Sequence, residues 1–403
     1  MISVDEAWER IRARAQPLLP ESRPLARAAG LCLAEAISSP LDLPPFDSSA
    51  MDGYALRAED TRAATDECPV KLPVTGEVAA GDWREIPVSP QTAVEIMTGA
   101  ALPPGTDCVL QLEAGRFRKG IVEIRAPVSE GRHIRRRGED VRRGDGLLEA
   151  GVRLNAQRLG LLSHSGIAEV FVHRPARVSL LATGSELVPA GAPLKPGQIY
   201  DSNRSVLERL IHLTGSLCDN LGVVPDDPAA IRERLCAALA ADVILLSGGV
   251  SVGAHDHVKS VLEQMGMERL FWRVQMKPGK PLLCGRLGET WIFGLPGNPI
   301  SCVVGFLVFI EPLLRILHGE RKLESYKVRA RLTREVRKKD ARRTFMTATL
   351  SRTAEGSLAV TPTAKQGSAM MQALAQADAF LIVPEECASI AAGEWVDVLP
   401  FTG

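Results

Sequence analysis

Between residues 180 and 299 the chain alternates short apolar runs with clusters of glycine, proline and charge, and the clusters recur at helix-length spacing. The clusters are A-T-G-S-E-L (182–187), Q-I-Y-D-S-N (198–203), S-G-G-V-S-V-G-A-H-D (247–256), K-P-G-K-P (277–281) and L-P-G-N-P (295–299). The runs at 178–182 and 243–246 show no regular polar alternation, as strands covered on both faces require. Between them lie helical signals: a stripe at Val206, Leu207, Leu210 and Ile211, and the cap pairs Asp227-Pro228 and Asn298-Pro299. Strand then helix, repeated, implies a parallel sheet wrapped by helices. In such sheets ligands bind at the carboxyl ends of the strands, which is where these clusters fall.

The remainder differs in texture. A chain of 403 residues exceeds one hydrophobic core, so two to four domains are expected. Residues 1–40 read as largely helical, with Ser3 and Glu6 spaced as a capping box. Short β-type runs at 70–75, 93–98, 108–113 and 121–125 are separated by glycine and proline. A helical pattern returns at 155–164 and is expected to rejoin the first helices, which makes the β-rich part an insertion. Residues 326–333 alternate apolar and polar, and β-type sequence continues to Phe401. The expected fold is multidomain α/β plus β: a central doubly wound, mostly parallel α/β domain, an N-terminal helical segment, an inserted β-rich domain and a small C-terminal β-barrel-like domain. The boundaries drawn are 1–44 together with 141–175, 45–140, 176–320 and 321–403.

Composition excludes several function classes. Lys plus Arg and Asp plus Glu number 48 each, so no overall basic field favours nucleic acid or a membrane surface. The eight cysteines form no C-x-x-C pair, which argues against a structural zinc site or disulfide framework and fits reduced thiols in the cytoplasm. The capped, charged N-terminus is unlike a signal peptide. The longest apolar run, 303–310, stops at Glu311-Pro312 and is too short to span a bilayer.

Chemistry is expected where the clusters converge. Glu186, Asp226 and Asp256 each follow a different strand of one sheet, and converging carboxylates are hard ligands suited to Mg²⁺ held between protein and phosphates. Asp227 needs no such role, because a helix cap explains it. His255 and His257 flank Asp256, a spacing that is weak support for a softer metal. The Gly-rich turn with Ser247, Gly248, Gly249, Ser251 and Gly253 offers backbone N–H groups to a phosphate, although a tight strand-to-helix turn would explain it alone. Pro296, Gly297, Asn298 and Pro299 place a helix N-terminus at the same edge. Lys277 and Lys280 are restrained between prolines, and Arg135, Arg136 and Arg137 form either a solvated face or a patch for phosphate or an oxyanion. S-A-M-D-G-Y (49–54) and M-T-G-A (97–100) mean little individually, Asp52-Gly53 reading as a turn.

Taken together, these motifs resemble the molybdopterin molybdenumtransferase family, the MoeA proteins and the E domain of gephyrin. The resemblance runs from S-A-M-D-G-Y through R-R-R-G-E-D (135–140) and every cluster above to K-Q-G-S (365–368) and G-E-W-V-D-V-L-P-F (393–401). It implies an elongated four-domain homodimer, with 176–320 as the catalytic domain and 1–44 with 141–175 as the dimerisation domain. It implies adenylylated molybdopterin and molybdate as substrates, Mg²⁺ as the divalent cation, AMP as leaving group, and the adenylyltransferase, molybdoenzymes or their chaperones as further partners. Position by position, Glu186, Asp226 and Asp256 match the family's acidic site, with Thr183, Gly184 and Ser185 beside them. Lys277, Pro296 and Pro299 match its substrate-side loop, while Asp52, Thr98 and Asp140 match residues contributed by the second domain. Arg135 to Arg137 would lie near the oxyanion. Ser185 stands where Asp is frequent, and Arg273 where Lys is frequent. A molybdopterin adenylyltransferase or related nucleotide pyrophosphatase, and a peptide-binding scaffold, are the competing readings.

Overall fold

The computed structural model describes residues 1–82, 86–250, 257–321 and 327–401. The chain separates into two compact units. Met1–Glu35, Ala150–Asn155 and Glu169–Gly403 form the first, and Ala36–Glu149 with Ala156–Ala168 form the second.

The first unit is built on a six-stranded sheet in the order Leu217–Val224, Arg177–Thr183, Val243–Ser247, Thr290–Leu295, Leu283–Leu287, Glu268–Trp272. The first four strands pair in parallel, and Leu283–Leu287 runs antiparallel to both of its neighbours, Thr290–Leu295 and Glu268–Trp272. The apolar run at 243–246 is explained by burial on both faces. Val243 and Leu245 enter one core with the Asn203–Leu213 helix and the helix that starts at Pro299. Ile244 and Leu246 enter another with Pro228–Ala238 and His257–Gln264. Asp227 caps its helix as expected, its Oδ2 accepting from Ala230 N at 2.8 Å. The helix over Pro299–Leu317 is long and apolar enough to cross a membrane, but 78% of its most apolar stretch is buried inside the protein. Its composition is that of a core helix.

Beyond the sheet, Val328–Leu332, Arg343–Arg352, Leu358–Pro362, Ala379–Val383 and Trp395–Pro400 close into a five-stranded barrel, sealed by pairing of Arg343–Arg352 with Ala379–Val383. Closure leaves no open edge, and Ala330, Leu332, Val360, Leu381 and Val398 fill the interior. Met276–Lys277 pairs with Arg343 and Thr344, tying the K-P-G-K-P turn to the barrel.

The N-terminal expectation needs correction. Ser3 caps the first helix, accepting from Glu6 N at 3.0 Å, but that helix covers only Val4–Arg12. Pro17, Pro20 and Pro24 follow, and proline cannot continue a helical ladder. Pro20–Pro24 instead pairs antiparallel with Glu169–His173. Ala156–His164 is helical as expected and lies in the second unit.

The second unit carries a six-stranded sheet ordered Cys108–Gln111, Gly53–Leu56, Ala93–Ile96, Val70–Val78, Ile121–Ile124, Gly115–Arg118. All four expected β runs are present. Gly53, read as part of a turn, opens a fully buried central strand, where a side chain would collide with the Leu110 carbonyl.

Candidate functional site

Two of the three acids meet at the ligand edge of the first unit's sheet. The parallel strands Arg177–Thr183 and Leu217–Val224 are neighbours, so the segments that follow them emerge side by side. Ser185 N donates to Asp226 Oδ2 at 3.1 Å, and Asp226 N donates to Ser185 Oγ at 3.5 Å. Glu186 folds back over Gly184: a Cβ on that glycine would sit 2.7 Å from Glu186 Oε2. On the other side, Val243–Ser247 ends in Gly248-Gly249. Gly249 has φ +67°, and a Cβ there would meet Thr183 Oγ1 at 2.6 Å and Val258 Cγ2 at 2.5 Å. Only glycine fits, for both backbone and space.

With the turn before Pro299, these segments enclose a cleft of about 360 Å³ lined by Thr183, Gly184, Glu186, Asn203, Asp226, Ser247, Gly248, Gly249, Pro296, Gly297 and Asn298. Cys302 supports it from below, donating to the Pro296 carbonyl at 2.8 Å. Burial pushes the Cys302 thiol up to about 12, so it stays protonated as a donor. Ser251, Gly253, His255 and Asp256 lie outside the described residues. Among the described residues no three metal-ligating side chains cluster. Glu186 and Asp226 nevertheless present two hard carboxylates in one cleft, which suits Mg²⁺, an ion usually bound by one or two carboxylates plus substrate phosphates.

A second cavity of about 530 Å³ shares Pro281, Pro296 and Asn298 with the cleft. Its walls carry Lys277, Lys280, Arg337, Lys338, Lys339 and Arg342, together with Ser301, Gln366 and Ser368, and no carboxylate. Asp340 stands nearby and binds two of these cations, Lys277 Nζ at 3.3 Å and Arg342 Nη2 at 2.9 Å. The Arg342 guanidinium holds the Asp340 carboxyl far below the ordinary carboxylate range. Lys338 Nζ braces the loops, donating to the carbonyls of Arg342 and Glu385 at 2.9 Å each and to that of Pro384. Lys280 and Lys339 have no ion pair among the described residues. Sequence reasoning missed Arg337, Lys338, Lys339 and Arg342, because R-K-K-D-A-R-R reads as a solvated face. Only the barrel brings it over K-P-G-K-P. Ser368 was visible as part of K-Q-G-S.

Arg273 lines neither cavity. It has φ +68° and stacks its guanidinium 4.2 Å from the Trp272 ring centroid, with Lys259 Nζ at 3.9 Å from the same ring.

In the second unit, Asp52 and Thr98 meet: Asp52 Oδ1 accepts from Thr98 N and Oγ1, both at 2.7 Å. Those bonds hold the Asp52 carboxyl below its usual range. Asp140 donates its backbone N–H to the Leu43 carbonyl at 3.0 Å. Two of the three arginines are already engaged within the unit. Arg136 Nη1 lies 2.8 Å from Asp47, and Arg137 Nε 2.6 Å from Asp42. Arg135 pairs through its backbone with Ser48.

Three family models match the chain: MoeA N-terminal region (domain I and II) over residues 2–166, probable molybdopterin binding domain over 179–316, and MoeA C-terminal region (domain IV) over 329–401. A molybdopterin molybdenumtransferase of Haemophilus influenzae is 36% identical over 100% of this chain and 99% of its own length. Molybdopterin molybdenumtransferase 2 of Mycobacterium tuberculosis is 39% identical over 100% of both. Among solved structures, the molybdopterin biosynthesis MoeA protein of Pyrococcus horikoshii superimposes with a TM-score of 0.83 at 35% identity, covering 100% of each chain.

Proposed function

The chain belongs to the MoeA family of molybdopterin molybdenumtransferases, and from that premise we propose that it transfers molybdenum from molybdate to adenylylated molybdopterin, with cleavage of the phosphoanhydride and release of AMP. One observation supports this most: two adjoining cavities of opposite character share Pro281, Pro296 and Asn298. A reaction that cleaves a phosphoanhydride while taking up an oxyanion needs a wall for each within one substrate's length.

In this reading the phosphates approach the backbone of the Gly248–Gly249 turn, where the Gly249 N–H is the donor; the N–H groups of Gly248 and Ile300 already donate to the Leu295 and Ser368 carbonyls, and Pro299 has none. Glu186 and Asp226 would hold Mg²⁺, with Asp256 as the expected third ligand. Bound there, Mg²⁺ would supply charge neutralisation on the phosphoanhydride. Lys280 and Lys277 hold molybdate by charge-assisted hydrogen bonds. Arg136 and Arg137 are paired with aspartates, so the oxyanion is assigned to the basic cavity in preference to residues 135–137. Preorganised charge facing the leaving AMP carries the rate enhancement. The same reading gives functional roles to the Asp52–Thr98 pair and Asp140, and retains the four-part domain division, a homodimer and a cytoplasmic setting.

The test is direct. Purified chain supplied with adenylylated molybdopterin, Mg²⁺ and molybdate should release AMP, and omission of molybdate or addition of a chelator should abolish release. ATP-dependent adenylylation of molybdopterin, with no molybdate-dependent AMP release, would favour the adenylyltransferase reading instead.

A further inference from the structure

One polar side chain of the acidic cleft has no role in the scheme above. Asn203 opens the Asn203–Leu213 helix at the end of Q-I-Y-D-S-N. Its Nδ2 donates to Ser247 Oγ at 2.9 Å and to the Gly297 carbonyl at 2.8 Å. A carbonyl can only accept, so the bond to Gly297 fixes which end of the amide faces these turns. Both amide hydrogens are thereby used, stapling the helix start to the glycine turn and to L-P-G-N-P.

The acceptor end remains. Asn203 Oδ1 is buried and has no hydrogen-bond partner among the described residues. The same is true of Thr183 Oγ1, whose residue is 4% exposed. Both residues line the same cleft. Buried polar atoms are nearly always bonded, because an unmade bond costs the desolvation of the group. Two such atoms on one cleft indicate a ligand that meets them. The Thr183 hydroxyl can donate to a phosphate oxygen, but an amide oxygen only accepts, so an ionised phosphate or molybdate leaves Asn203 Oδ1 unmet. An O–H or N–H group of the ligand's organic part meets it, or a cation does, and dependence of binding on the nucleoside's donors separates the two.

We propose that Asn203 is a specificity-determining residue whose Oδ1, together with Thr183 Oγ1, takes hydrogen bonds from O–H or N–H groups of the substrate's nucleoside. The proposal rests on the reading that the adenylyl group occupies this cleft. Because the same amide holds Ser247 and Gly297, one side chain both reads the nucleoside and spaces the two phosphate-facing turns.

Calorimetric titration of the full chain in Mg²⁺ buffer tests it, with AMP and inorganic pyrophosphate as probes. Two AMP analogues remove donors without touching the protein: the dideoxy form lacks both ribose hydroxyls, and purine riboside monophosphate lacks the amino group. At least one should bind wild type about tenfold more weakly than AMP, which identifies the donor. Thr183→Val keeps the shape and removes an unpaired buried hydroxyl. It should weaken AMP about tenfold, leave pyrophosphate unchanged, and hold or raise Tm. Asn203→Leu, which also removes the staple, should weaken both probes, AMP more than pyrophosphate. Equal affinity of wild type for AMP and both analogues would overturn the proposal, as would AMP binding unimpaired in Thr183→Val. A wild-type chain that bound neither AMP nor pyrophosphate would overturn the reading of the cleft itself, and the proposal with it.

Discussion

The two cavities of the first unit are neighbours with opposite walls. One is lined by glycine turns with Glu186 and Asp226, the other by six cations and no carboxylate. The cleft draws its residues from the ends of adjacent parallel strands, so the topology of one sheet places them. The basic cavity draws on two structures: the K-P-G-K-P turn of the α/β part and the R-K-K-D-A-R-R segment of the barrel. A charged segment therefore has no fixed meaning by itself. R-R-R-G-E-D in the second unit has comparable charge density, yet Asp47 and Asp42 take up Arg136 and Arg137 there. What distinguishes the cavity is that two basic segments face each other across it: Asp340 takes up Lys277 and Arg342 and Glu335 takes up Arg337, while Lys280 and Lys339 have no ion pair among the described residues.

If the division of labour holds, damage to one cavity should spare the other. The largest effect is expected from Asp226→Asn. AMP release should fall by about a hundredfold to a thousandfold, while equilibrium binding of molybdate stays within twofold or so of wild type. A parallel collapse of molybdate binding would show the two sites to be one. Next comes Gly249→Ala. The added Cβ meets Thr183 Oγ1 and the Val258 side chain at positive φ, so the turn must shift. We expect about tenfold slower turnover and a loss of about 1–3 kcal/mol in denaturant unfolding; an unchanged midpoint would mean that the turn has slack.

Lys280→Ala should act on the other cavity, raising KM for molybdate about tenfold with little change in AMP affinity. A rise in AMP dissociation instead would move this lysine to the phosphates. The smallest effect is an improvement. Asp340→Asn releases Lys277 and Arg342 from their shared carboxylate and should tighten molybdate by up to about fivefold, less at high salt. The Arg342 guanidinium depresses the Asp340 carboxyl, so its ion pairs are present above the ordinary carboxylate pKa and lost only in strong acid. The gain should therefore be constant between about pH 5 and 8. A gain that varied across that window would implicate a different titrating group.

Much was legible in the residues alone. Apolar runs and cap pairs located the central strands and helices, because burial on both faces and helix termination are local demands. The glycine, acid and lysine clusters were legible as breaks where the apolar runs end, for the same reason. The N-terminal forty residues misled, since the Ser3 and Glu6 capping box does start a helix while Pro17, Pro20 and Pro24 forbid it beyond Arg12. S-A-M-D-G-Y misled in the opposite sense: Asp52-Gly53 has turn chemistry, but a crowded central strand demands glycine for space.

The sequence by itself determined which elements form and which residue types stand at their ends, because propensity, capping and patterning act over a few residues. Tertiary structure decided which charges are already matched and which still face a cavity. It also closed the barrel that carries Arg342 toward Lys277, and left the Asn203 and Thr183 oxygens without partners. Those outcomes depend on groups far apart in the chain, whose pairing is fixed only when sheet order and register bring them within hydrogen-bonding reach.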